Sequence, residues 1–351
     1  LAVEAEIIQK IRSALGCNPQ PSTPWLRLGL GDDAAILRPC PQEGTSKRNK
    51  PSGGREWVLS CDAFLEGVHF RPDVHGPRDV GYKALARATS DLAAMGARPR
   101  FFLLNLVLPG SRTGAWLDRF LLGLREASRK LEISLVGGDT SRLPHVAINI
   151  MVGGDVPAGH ALTRSGARPG DLLFVRGTLG AAQLGLGLIQ RRFARSPRQE
   201  KRWNSLLAAH LRPAIGLDFG RWLSGDKPSG PKIASAAIDT SDGLSTDLEH
   251  LCESSGVGAR IWAGRLPLVR IPPELKTLRL DPLQLALHGG EDYQLLFTVP
   301  RGIASQIPRK YQGVSITHIG EITRGPGIEL VQESGRRKKL TPQGWDPFRK
   351  T

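Results

Sequence analysis

The 351-residue sequence is short of several things, and each shortage removes a class of protein. It holds four cysteines, Cys17, Cys40, Cys61 and Cys252, scattered and without a CxxC pair. That spacing suits neither a structural zinc site nor a disulfide framework, and it fits a reducing cytoplasm. No apolar run approaches the roughly 18 residues that a membrane span needs. The opening stretch, LAVEAEIIQKIRSAL, reads as a polar amphipathic helix and not as a signal peptide. Aromatic residues make up 6% of the chain and do not interleave with its basic runs, which argues against a stacking nucleic-acid surface. There is no P-loop, and no HRD or DFG motif of a protein kinase. GLGDDA at Gly29 formally fits GxGxxA, but its paired aspartates would repel a pyrophosphate.

What is abundant is positive charge. Lys and Arg number 48 against 33 Asp and Glu, for a net charge of +15. Such an excess favours anionic partners: nucleic acid, a membrane surface or phosphorylated small molecules. Much of it lies in the runs SKRNK, QRRFARSPRQEKR and GRRKK, which read as solvated loops. Helix and strand signals alternate, which predicts an α/β or α+β fold. EWVLSCDAF, FFLLNLVLP, ISLVGGDTS and VAINIMVGG read as strands. GYKALARATSDLAAMGA reads as a helix with Leu85, Leu92 and Met95 inward and Gly96 as its stop. Trp116 to Leu131 has helical spacing, as does LSTDLEHLCESSG with Gly256 as C-cap. The polar, loop-rich stretch around 155–171 suggests a division into residues 1–155 and 156–351.

Within this basic chain the acids recur at the ends of apolar strands, beside glycines. They are Asp32 and Asp33 in GDDAAIL, Asp62 in LSCDAF, Asp139 in VGGDTS, Asp239 and Asp242 in AIDTSDG, and Glu291 and Asp292 in HGGEDY; Asp91 ends a helix. Singly, each has a plain structural use: Asp242 as a helix cap, Asp139 or Asp32 in an Asx turn. If they converge, they cannot all stay ionised without cations, so either their pKa values rise or metal binds. Carboxylates without His or Cys clusters suit hard cations, above all Mg²⁺, with phosphates completing the coordination. The hydroxyls of Ser60, Thr240 and Ser241 are compatible ligands or donors, and glycines let backbone N–H groups approach phosphate oxygens.

In order along the chain, GLGDDAAIL, LSCDAFLEGVHF, YKALARATSDLAAMGARP, GGDTSR, ALTRSGARPGD, LRPAIGL, AIDTSDGLSTDLEHL and HGGEDYQLLFTVP resemble the thiamine-monophosphate kinase family. That family sits in the superfamily of aminoimidazole ribonucleotide synthetase and selenophosphate synthetase. The resemblance covers about Leu30 to Pro300. It implies a two-domain, aminoimidazole-ribonucleotide-synthetase-like fold: an N-terminal ATP- and Mg²⁺-binding domain whose sheet pairs in a homodimer, and a C-terminal α/β domain completing the active site. It implies transfer of the ATP γ-phosphoryl group to thiamine monophosphate. Asp32, Ser60, Cys61, Asp62, Asp91, Asp139, Asp239 and Asp242 then correspond to a shell for several Mg²⁺ ions. Gly138, Asp139, Arg164 and Ser241 correspond to ATP contacts, and His69, Glu291 and Trp345 to the thiamine side. Each of the last group has a plainer use: Trp345 as a hydrophobic anchor, His69 as a satisfied strand-end residue, Arg164 as partner of an acid such as Asp171. Cys61 stands where the family usually carries Thr, and a thiol is a poor Mg²⁺ donor, although its backbone carbonyl remains. The competing readings are another ATP-dependent synthetase of the superfamily, a basic nucleic-acid-binding protein, and a homologue that binds nucleotide without catalysis.

Overall fold

The computed structural model describes residues 6, 25–29, 32–38, 54–190, 197–226 and 230–348, with backbone alone over 197–202. The expected N-terminal helix (Glu6 apart), the run around Lys47, and Cys17 and Cys40 lie outside the described residues.

Two sheets organise the chain. Leu26–Leu28 (β1), Ala35–Leu37 (β2), Arg55–Leu65 (β3), Arg98–Val107 (β4), Ser134–Ser141 (β5) and Ala147–Pro157 (β6) form the first, in the order β1-β2-β3-β6-β4-β5. Its pairs are antiparallel except β4 with β5, which the helix Ala115–Lys130 (α2) connects. The second sheet contains Leu172–Arg176 (β7), Ala236–Asp239 (β8), Gly258–Trp262 (β9), Leu295–Val299 (β10), Lys310–Tyr311 (β11), Val314–Thr323 (β12), Gly327–Val331 (β13) and Arg337–Leu340 (β14). Its order is β14-β13-β9-β12-β7-β10-β8, with β11 on β12. The helices Ala181–Gln190 (α3), Pro197–Leu211 (α4), Leu217–Ser224 (α5), Leu244–Ser255 (α6) and Pro282–His288 (α7) belong to this half. Strand β6 ends at Pro157, two residues beyond the expected division.

The GRRKK run, expected to be a loop, contributes β14, where Arg337, Lys338 and Lys339 are exposed on the edge of the sheet. Charge on an edge strand discourages pairing with another chain. The signal was misleading because an edge strand can be as polar as a loop.

The helix Pro77–Ala94 (α1) joins the two halves. It starts on a proline in its first turn and is followed by Gly96 at φ 68°, a left-handed position that glycine adopts without a Cβ clash. Leu85, Leu92 and Met95 are buried as expected, but so are Lys83, Thr89 and Ser90, because the helix is covered on most sides. Its end, Ala93 and Ala94, shares a core with Leu162, Phe219, Ala237 and Phe297 of the second half. The approach to α5 is close: a Cβ on Gly220 would lie 2.0 Å from the Ala93 carbonyl oxygen.

Strand pleating decides which side chains of β3 meet α1. Val58 and Phe64 are buried on that face, and Ser60 and Asp62, in the same alternation, turn toward the helix. Cys61 is out of phase with them and exposed.

Candidate functional site

Strand β8 delivers Asp239 into the interior, where it is 2% exposed and accepts a hydrogen bond from Ser90 Oγ at 2.5 Å. Asp33, in the turn before β2, and Asp91, in the last turn of α1, meet it. One carboxylate oxygen from each of the three lies within 4.8 Å of the others. Arg164 closes the cluster: its Nε and Nη2 donate to Asp33 Oδ1 at 3.1 and 2.5 Å, and its backbone N–H donates to Asp32 Oδ2 at 3.0 Å. Burial, reinforced by Asp33, pushes Asp239 and Asp32 up to about 7. Burial, then the charge of Asp239, drives Asp91 well above the usual carboxylate range. Asp33 is raised by burial despite Arg164, and its Oδ2 is buried without a hydrogen-bond partner among the described residues. Converging carboxylates, one with an orphaned oxygen, and no His or Cys among them, fit a hard divalent cation.

Around this centre, Ser60 Oγ donates to Asp91 Oδ2 and Asp62 Oδ2 pairs with Arg87 Nε at 2.9 Å. Asp242 lies close enough to raise the pKa of both Asp239 and Asp247, after their burial. It is not the helix cap considered from sequence: Gly243 is the N-cap residue of α6, and its N–H donates to Asp247 Oδ2 at 2.9 Å. Nor does Arg164 pair with Asp171, which instead accepts from Ser235 Oγ at 2.6 Å and Arg168 N–H at 3.0 Å. Cys61, out of phase with Ser60 and Asp62 along β3 and exposed, lines the cavity that opens beside these acids.

Gly138 and Asp139 are elsewhere. They lie on β5, the edge of the first sheet, where Asp139 pairs with Asn105. Asn105 faces Asn149, which faces Ala63 beside Asp62. Three strand spacings put Asp139 about 14 Å from that position. Gly138 has φ 152°, and a Cβ there would lie 1.8 Å from the Leu104 carbonyl oxygen, so glycine is required for strand contact alone.

A cavity of about 730 Å³ opens beside the acids. Asp62, Asp91 and Asp239 line it, and so do Ser241, Asp242, His69, Glu291 and Trp345. His69 Nδ1 accepts from Leu65 N–H at 3.0 Å. Burial, then Arg87, lowers its pKa to about 4, so the ring is neutral with its proton on Nε2. Burial would raise Glu291, but Lys83 Nζ at 2.9 Å and His210 Nδ1 at 3.2 Å hold its carboxyl far below the usual range. Trp345, 48% exposed, is tied by its backbone N–H to the Asp242 carbonyl at 3.0 Å.

Sequence reasoning named Asp33 among the recurring acids but not in the metal shell, and it passed over Asp247, Lys83, Arg87 and His210. For Lys83, Arg87 and Asp91 a signal exists: i, i+4, i+8 spacing puts them on one helix face.

Comparison with known proteins supplies the family. Residues 31–156 match AIR synthase related protein, N-terminal domain. The thiamine-monophosphate kinase of Escherichia coli (strain K12) is 38% identical over 330 residues, 92% of each chain. The structure of AaThiL complexed with AMPPCP and TMP has a TM-score of 0.79 at 32% identity, covering 98% of this chain and 97% of that one. Escherichia coli HypE, a hydrogenase maturation protein, shares the fold with a TM-score of 0.64 at 22% identity, covering 95% of this chain and 98% of its own. Fold and site therefore define an enzyme of the AIR-synthase-related class. Within that class, the chain belongs to the thiamine-monophosphate kinase family.

Proposed function

We propose that this protein transfers the γ-phosphoryl group of ATP to the phosphate of thiamine monophosphate, with Mg²⁺ present, giving thiamine diphosphate and ADP. The observation that carries this reading is the meeting of Asp33, Asp91 and Asp239 beside a cavity that also holds His69, Glu291 and Trp345. Family membership and the AMPPCP and TMP of the AaThiL complex support it.

In the reaction an acceptor phosphate oxygen forms a bond to the γ-phosphorus while the bond from that phosphorus to the β–γ bridging oxygen breaks. The acceptor oxygen is already anionic, so no general base is needed; alignment and relief of repulsion are. Mg²⁺ held by Asp33, Asp91 and Asp239, with Asp32, Ser60, Asp62, Asp242 and the Cys61 carbonyl nearby, would supply charge neutralisation between the two phosphate groups. Arg164, kept charged by Asp33 and Asp32 against the opposing effect of burial, and Ser241 meet the nucleotide. His69 offers its Nε2–H to the acceptor. Glu291 faces the cationic thiazolium, and Trp345 stacks on it.

The protein is read as a cytoplasmic homodimer acting on small molecules, without nucleic-acid or membrane partners. The free Cys61 and Cys252 support the reducing compartment. Among the described residues no helix is long and apolar enough to cross a membrane. Leu135 and Val136, exposed on edge strand β5, support the homodimer, and the ATP-side role of Gly138 and Asp139 goes with it. Residues 1–155 would bind ATP and Mg²⁺ and dimerise, and 156–351 would complete the site.

The test is a substrate panel of thiamine monophosphate, thiamine and an aminoimidazole precursor, each with ATP and millimolar Mg²⁺, with products separated by chromatography. Thiamine diphosphate and ADP are expected from the first alone. Folded protein that leaves thiamine monophosphate untouched would overturn the reading.

A further inference from the structure

Behind Glu291 lies a set of buried titratable groups that phosphoryl transfer does not itself require. Lys83 of α1 is 1% exposed, with Nζ 2.9 Å from Glu291 Oε1. His210, near the end of α4 and also 1% exposed, has Nδ1 3.2 Å from Glu291 Oε2 and Nε2 3.0 Å from His75 Nε2. His75 Nδ1 in turn lies 3.1 Å from the Arg71 backbone nitrogen and 3.1 Å from the Arg71 carbonyl oxygen. Three polar side chains from separate segments, Lys83, His210 and His75, are thus withdrawn from water and spent on one another and on Glu291. Burying an ammonium and two imidazoles is unfavourable unless the partners are fixed, so the arrangement needs a reason beyond packing.

We propose that Lys83, His210 and His75 form a positioning relay that locks Glu291 as an oriented carboxylate in the cavity, where it selects an acceptor with a cationic ring. The order of protons follows from the atoms. An ionised Glu291 has no proton to give, so His210 Nδ1 must donate. A neutral His210 then accepts at Nε2, where His75 Nε2 at 3.0 Å is a nearer donor than Lys83 Nζ at 3.4 Å, and His75 Nδ1 is left to accept from the Arg71 N–H rather than donate to the Arg71 carbonyl. Burial keeps both rings neutral, lowering His75 to about 4 and His210 below its usual value. Lys83 contributes the positive charge and occupies Oε1.

The backbone adds its own constraint. Glu291 and Tyr293 adopt φ of 66° and 49°, uncommon for residues with a Cβ. Their N–H groups donate to the Ser241 and Thr240 carbonyls at 2.7 and 2.9 Å, which holds the turn. A carboxylate pinned by both its backbone and its oxygens presents only acceptor lone pairs to a ligand. It favours a cation or N–H donor and penalises an anionic or acceptor-only ring. Lys83, His210 and His75 act through Glu291 and are positioning residues.

The identity of the acceptor rests on the proposed kinase function, so two measurements are needed. Long-range ¹H–¹⁵N correlation spectra of histidine-labelled protein at pH 7.5 read the tautomers without any substrate. The expected result is a proton on Nε2 of His75 and on Nδ1 of His210. The opposite tautomers, or a His210 imidazolium, overturn the relay. Kinetics then test its consequence. Lys83→Met and His210→Leu should each raise KM for thiamine monophosphate about 30-fold with KM for ATP within about twofold. His210→Asn, whose Nδ2 replaces the Nδ1 donor, should recover most of the loss. Equal rises in both KM values, or no difference between Leu and Asn in folded protein, reject the relay. If wild-type protein has no kinase activity, the function falls while the spectra still decide the relay.

Discussion

Asp239 is placed where stability alone would not put a carboxylate. It is buried, its pKa is pushed up to about 7, and Asp33 adds repulsion to the cost of burial. Asn has nearly the same shape and no charge, so Asp239→Asn should raise the melting temperature of the metal-free protein. The same change should lower turnover by roughly 10²-fold, as expected for loss of a group that stabilises charge in the transition state. A variant that turns over at the wild-type rate removes Asp239 from the reacting centre. Trp345→Ala belongs to the same scale. Loss of the indole should raise KM for thiamine monophosphate about tenfold and leave KM for ATP unchanged, a split that a mere hydrophobic anchor would not produce. The recurrence of acids at strand ends was legible because it depends on residue type and local pattern. Which of Asp32 and Asp33 enters the cluster was not, because Arg164, 131 residues along the chain from Asp33, decides it. Lys83 was hidden for a different reason: a lysine in a helical stretch reads as solvated, and only the covering of α1 by the second half shows otherwise.

At the level of elements, the site depends on where α1 stands, since it carries Lys83, Arg87, Ser90 and Asp91. Glycines let its neighbours come close. A Cβ on Gly123 of α2 would lie 1.7 Å from the Arg78 carbonyl oxygen, and one on Gly220 of α5 would meet Ala93. Gly220→Ala therefore forces α1 and α5 apart. The expected destabilisation is about 1–3 kcal/mol, read by urea denaturation, with turnover falling as Ser90 and Asp91 shift from Asp239. Unchanged stability would mean that the two helices slide apart freely. The strands β3, β4 and β6 and the helices α1, α2 and α6 were legible through long, consistent periodicity. The short helix α5 and the edge strand β14 were not. Eight residues give little more than two turns of pattern, and the β14 sequence is polar because both its edge and its exposed face meet water.

Across the whole molecule, residues from both sheets and the C-terminal stretch meet at one cavity, and folding is thereby coupled to protons and metal. In the unfolded chain Asp32 and Asp239 ionise near 3.8, whereas in the metal-free fold they do so near 7. Between those values the folded state holds more protons, so the stability linked to these groups falls as pH rises through that window. His69 and His75, both lowered to about 4, act in the opposite direction, so a bare stability profile mixes the two effects. The difference made by Mg²⁺ separates them, because a cation binds the ionised acids and must displace their protons. The Mg²⁺-induced rise in melting temperature should be small at pH 5.5 and grow toward pH 8. It should approach about 2.7 kcal/mol of stabilisation when free Mg²⁺ is 100 times its dissociation constant. Calorimetric titration at pH 6.5 in two buffers of different ionisation enthalpy should register about one to two protons released per cluster filled. A pH-independent increment with no proton release would mean that the buried acids do not hold the cation, and the reading of this cavity as a phosphoryl-transfer site would lose its foundation.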